Sequence, residues 1–184
     1  MDASTSTNSL MSRARRRLAA AAGAPVLRAV LVVRAYKDLY ISAYRKRAED
    51  NLSKPFADGR HNMLHMDRGW PDPVRLIFKH LRVQELVVLE YARRGRSVDM
   101  AGLLVPELAT VALREPDRRM NHSATDAALE ALQLRYLRGE TLARGVWQQI
   151  IAEHREDQTP RGISEFTKRQ IRILDGRYAE DLDA

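Results

Sequence analysis

The sequence predicts an all-α protein, an antiparallel three-helix bundle core with a helical C-terminal extension. Three observations lead there: apolar residues recur three or four positions apart along most of the chain, proline and glycine punctuate those runs at helix starts and stops, and no alternating strand pattern of useful length occurs. With 184 residues, 45% hydrophobic and 30% charged, the chain suits one compact domain with tails or two very small domains.

The first 24 residues form a separate arm. MDASTSTNSLMSRARRRLAAAAGA passes from Ser/Thr-rich to Arg-rich to Ala-rich with Asp2 as its one acid, which is the composition of an organellar transit segment. Pro25 then fits the first turn of a helix, and Val26, Val30, Val33, Tyr36, Tyr40 and Tyr44 predict one face of a long helix over 25–50. Arg34, Lys37, Arg45, Lys46 and Arg47 supply a basic flank. The tyrosines fit either core packing or an interface.

Residues 51–71 mix Pro, Gly, Asp and Asn without a clean period and read as a connecting loop. His61 and His65 have the spacing of one helix face, but Asn62 stands where a zinc-protease motif needs Glu, and no metal site is assigned. Asp72 and Pro73 open a second helix of about 20 residues through Val74, Ile77, Phe78, Leu81, Leu86, Val87 and Leu89, which Gly95 stops. A third runs from Ser97 through Leu103, Leu104, Leu108 and Leu113, with a bend near residue 105 because Pro106 removes a hydrogen bond and clashes one turn back. Ser123 or Thr125 caps a fourth helix carrying Leu129, Leu132 and Tyr136, and Gly139 ends it. A fifth follows with Val146, Trp147 and Ile150; Ser164 caps a short last helix that stops before Gly176, leaving an acidic tail. The expected organisation is therefore a 1–24 arm, a 25–115 bundle and a 116–184 extension.

The net charge of +7 is unevenly placed. Residues 1–96 carry 19 Lys and Arg against 9 Asp and Glu, whereas residues 97–184 carry 12 against 15. A basic half serves nucleic acid, anionic lipid or an acidic protein alike, or is simply a solvated surface. The absence of cysteine excludes thiol nucleophiles, disulfides and Cys-rich metal sites. No phosphate-binding loop, dinucleotide fingerprint or nucleophile elbow occurs, so the expectation is a non-enzyme without a cofactor of its own. The clusters Arg13 to Arg17 and Arg93 to Arg96 could contact phosphates, but no nucleic-acid-reading motif accompanies them. No apolar stretch is long enough for a spanning helix, so a soluble or peripheral protein is expected.

The order VLVVRAYKDLYISAYRKR, VRLIFKHL, ARRG and AGLL resembles that of the LYR-motif family of small mitochondrial helical proteins, over residues 25–113. In that resemblance Tyr36 and Lys37 stand at the family's Tyr and Arg, and Phe78 at its later phenylalanine; Ala35 replaces the motif leucine, and Lys37 loses the bidentate geometry of arginine. The resemblance implies a three-helix bundle that binds an acidic mitochondrial acyl-carrier protein, whose acylated phosphopantetheine lies between the helices. The resulting expectation is a non-catalytic accessory subunit of a respiratory complex, complex I foremost, on the matrix side of the inner membrane. Arg34, Lys37 and Arg45 are expected to face the acidic partner, with Tyr36 and Phe78 packed behind them. The alternatives are an RNA-contacting subunit of a mitochondrial ribosome and a viral helical structural protein.

Overall fold

The computed structural model describes residues 26–81, 83–93, 97–114 and 124–184. The transit-like arm, Arg94 to Arg96 and Ser123 lie outside the described residues. The described chain is mostly helical, with seven α-helices and one two-stranded parallel sheet. It forms two compact units: a strand unit from residues 26–34 and 68–114, and a helical unit from residues 35–67 and 124–183. Residues 35–67 group with the C-terminal helices.

In the strand unit, β1 (Arg28–Val33) pairs in parallel with β2 (Glu85–Glu90), in register from Arg28 opposite Glu85 to Val33 opposite Glu90. These segments correct two expectations. The helix predicted over 25–50 is a strand followed by a helix, and the helix predicted from Asp72 to Gly95 ends at Leu81 before β2 begins. The fold is thus not all-α, and residues 25–115 do not run as three helices. The physical reason lies in RAVLVV and ELVVLE: β-branched valines lose side-chain freedom in a helix, and continuous apolar runs suit parallel strands. Parallel strands need a long crossover, and part of it is α3 (Pro71–Leu81). The first rung is closed by an Arg28–Glu85 ion pair of 2.6 Å. Arg28 Nη1 also donates to the Leu103 carbonyl at 3.2 Å, in the last turn of α4 (Ser97–Leu104), where a cation suits the helix dipole. The bend expected at Pro106 is present: α4 stops and Pro106–Thr110 continues as a 3-10 turn. A Cβ on Gly102 would come within 3.1 Å of Ala109 Cα, so a side chain there would push the fold-back away by a few tenths of an ångström.

The helical unit holds α1 (Tyr36–Asp50), α2 (Phe56–Leu64), α5 (Asp126–Leu137), α6 (Arg144–Glu153) and α7 (Lys168–Asp183). The segment read as a loop over 51–71 therefore contains α2. Phe56 anchors it: the ring is fully buried and meets Tyr44 and Phe166 edge-on, with centroids 5.1 and 4.9 Å away. Thr125 caps α5 by accepting from the Ala128 amide at 3.2 Å. Gly139, at φ +80°, ends that helix, the Gly139 and Glu140 amides donating back to Tyr136 and Arg135 carbonyls. The last helix departs from expectation at both ends. Its cap is Thr167, whose hydroxyl accepts from the Gln170 amide while Gln170 Oε1 accepts from the Thr167 amide, a reciprocal capping box. It then continues through Gly176 into the segment read as an acidic tail.

The core joins Ala48, Ala124, Ala128 and Leu129, with Leu132, Tyr136 and Ile150 beside them. One face of α5 also finishes the end of α1. Gln133 Nε2 donates to the Ala48 and Asn51 carbonyls at 2.6 and 2.8 Å, its Oε1 accepts from the Ser53 amide at 2.8 Å, and Tyr136 Oη donates to the Glu49 carbonyl at 2.9 Å. Orphan carbonyls of a helix C-terminus are thereby bonded by side chains 80 or more positions away.

Candidate protein-docking face

Three of the five residues assigned to partner binding lie on α1, and all three are engaged within the helical unit. Tyr36 is buried; its hydroxyl donates to Asp181 of α7, and its ring stacks on Tyr40 and meets Tyr178 edge-on. Lys37 forms a 3.0 Å ion pair with Asp175, also on α7. Arg45 is held most closely. Its guanidinium bonds Asp126 Oδ1 at 2.5 Å, Ser164 Oγ at 3.2 Å and the Ala124 carbonyl. Only 19% of the Arg45 side chain and 13% of the Asp126 side chain is exposed. Burial raises the Asp126 carboxyl, but hydrogen bonds from Arg45 and from the Arg161 and Ile163 amides, with the Arg45 charge, outweigh it and hold the carboxyl below its ordinary range. A cleft of 410 Å³ opens beside this network, with Ile41, Gln158 and Pro160 in its walls.

The basic face of α1 thus has its acidic counterpart in the same chain. Asp175 and Asp181 lie in the stretch read as a helix end and a tail, and Asp126 is one residue past the α5 cap. Sequence carried one signal for this: residues 97–184 have an excess of acids, opposite in sign to the basic first half.

The other two assigned residues belong to the strand unit. Arg34 lies with its guanidinium 4.7 Å from the centre of the Tyr91 ring, while its carbonyl accepts from Trp70 Nε1 at 2.9 Å. Phe78 is on α3 and is 48% exposed. Val74, Ile77, Phe78 and Leu81 recur at helical spacing and form a narrow apolar stripe, yet α3 buries none of its residues and makes no extensive contact with another element among the described residues. Next to Phe78, Lys79 and His80 are exposed and basic.

The strands of this unit are also thinly covered. Val33 and Val83 are its buried hydrophobics among the described residues, and Val88 in β2 is 45% exposed. Parallel strands ordinarily have both faces covered, and two strands alone fall short of an independently stable sheet. Beside the Arg28–Glu85 rung, an 830 Å³ recess is rimmed by Leu27, Leu104, Val105 and Pro106. The amphipathic helix, the half-covered strand pair and this recess, which Arg28, Gln84, Glu85 and Glu107 also line, are the features of the unit open to another protein.

Comparisons with family models, curated proteins and solved structures find no match for the chain. The candidate face therefore rests on its own geometry.

Proposed function

We propose that this chain is a non-catalytic subunit of a larger assembly, which lays α3 into an apolar groove with an acidic rim on a partner protein. The observation that carries the reading is α3 itself: a one-sided helix whose stripe leaves Val74, Ile77 and Leu81 half-buried and its largest member, Phe78, 48% exposed. Helix-in-groove recognition uses anchors at this spacing. The net charge of +7 and the exposed Lys79 and His80 beside the anchor favour an acidic rim and speed its encounter. A partner engaging Lys37 and Arg45 instead would have to displace Asp175 and Asp126, so the apolar face supports docking better than the basic face of α1 does.

The resemblance supplies the assembly to look for, a mitochondrial respiratory complex containing an acyl-carrier protein. The test is native purification at moderate salt with mass spectrometry of retained proteins, repeated for Phe78→Asp. The aspartate should leave the fold intact and weaken a protein partner by about 2 kcal/mol, roughly thirtyfold in Kd, as for a buried aromatic anchor. Retention of the same partner by Phe78→Asp, or recovery of RNA with ribosomal proteins in place of a protein partner, would overturn the reading.

A further inference from the structure

The segment read as a loop folds as α2, and this gives His61 and His65 a new meaning. His61 sits in the last turn of that helix and His65 just past its end; both are exposed, and their rings lie with centroids 4.4 Å apart at an interplanar angle of 46°. Apart from each other, neither imidazole has a hydrogen-bond or ion-pair partner among the described residues. Two exposed imidazoles this close, tilted against each other and without a carboxylate between them, can offer two nitrogen donors to one cation.

The spacing selects among cations. With metal–nitrogen bonds of about 2.1 Å, two imidazoles at adjacent corners of a square place their centroids roughly 4.5 Å apart, and at a tetrahedral angle roughly 5.2 Å apart. The observed 4.4 Å between ring centres is closer to the first. Tetragonal coordination with imidazole ligands is the preference of Cu²⁺ and Ni²⁺, and Cu²⁺ leads the divalent affinity order. Asp58, three positions before His61, shares this exposed face by helical spacing and adds a negative charge nearby. Among the described residues no group of three or more His, Cys, Asp and Glu side chains is placed to hold a metal together, so solvent completes the coordination.

We propose that His61 and His65 form a two-imidazole clamp at the C-terminal end of α2 for a tetragonal divalent cation, Cu²⁺ in particular. Zinc protease chemistry plays no part, because Asn62 stands in the position of that motif's glutamate. The test is titration of the untagged full chain with Cu²⁺, followed by calorimetry and electron paramagnetic resonance, for the parent and for His61→Gln and His65→Gln. The expected result is one tight Cu²⁺ per chain with hyperfine structure from two nitrogens. Each single variant should bind about tenfold or more weakly, because the second imidazole acts at high effective concentration. A second measurement needs no variant: trace Cu²⁺ should broaden the ring proton signals of His61 and His65 before those of His80 and His154. Equal affinity in both variants, Zn²⁺ bound as tightly as Cu²⁺, or simultaneous broadening of all histidines would overturn the proposal.

Discussion

Replacing Arg45 by methionine tests whether this residue belongs to the fold or to a partner. The substitution keeps the apolar stem but removes the guanidinium, leaving Asp126 to the Arg161 amide, at 2.7 Å, and the Ile163 amide, and leaving the Ala124 carbonyl and Ser164 hydroxyl without that donor. Fully exposed ion pairs contribute about 0.2–1 kcal/mol, and breaking a buried pair by removing one member costs about 3–5 kcal/mol. With side chains 19% and 13% exposed, the Arg45–Asp126 pair stands nearer the buried limit, and a loss of about 2–3 kcal/mol is expected. Lys37→Met is the internal control. Its pair with Asp175 has side chains 32% and 44% exposed, so a loss below about 1 kcal/mol is expected. Because the chain has two compact units, the assay must report one of them: urea unfolding followed by Trp147 fluorescence in a Trp70→Phe background reads the helical unit alone. Equal losses for the two variants, or less than about 0.5 kcal/mol for Arg45→Met, would refute the assignment of Arg45 to the fold.

Asp126→Asn should flatten the acid limb of the same unfolding curve. The carboxyl titrates lower in the folded state than in the unfolded one, so its contribution is complete above the unfolded value of about 4 and fades as pH falls through the lower folded value; a parent and variant with the same slope below pH ~4 would contradict the pairing. Gln133→Ala removes three hydrogen bonds from the end of α1 and should destabilise the helical unit by about 2 kcal/mol, with early loss of amide protection around Ser53 by hydrogen exchange. Leu132→Ala at a fully buried position should cost about 2–5 kcal/mol in the same titration, whereas Phe78→Ala, half exposed, should change stability by less than about 1 kcal/mol.

The helices legible in the sequence are those whose signals are local. Thr125, the apolar spacing through Leu132 and Tyr136, and Gly139 mark the limits of α5, and each acts through neighbours within one or two turns. Pro106 likewise fixes the end of α4 by its own ring. The Thr167–Gln170 box was equally local, but Ser164 offered a competing cap and Gly176 a competing stop; packing of Leu174 in the core carries the helix past the glycine penalty of about 1 kcal/mol.

Sequence by itself determined a mostly helical protein with an uneven charge and Phe78 on an amphipathic helix. Tertiary structure decided the rest, wherever the outcome depends on a partner far along the chain. RAVLVV and ELVVLE are apolar runs that fit a buried helix or a strand, and pairing across 57 positions makes them strands. Lys37 reads as a cation facing an acidic partner and Tyr36 as packing behind it, yet they bond Asp175 and Asp181 of the same chain, more than 130 positions away. A short-range pattern fixes what a residue can bond, while the closure of long chain segments fixes what it does bond.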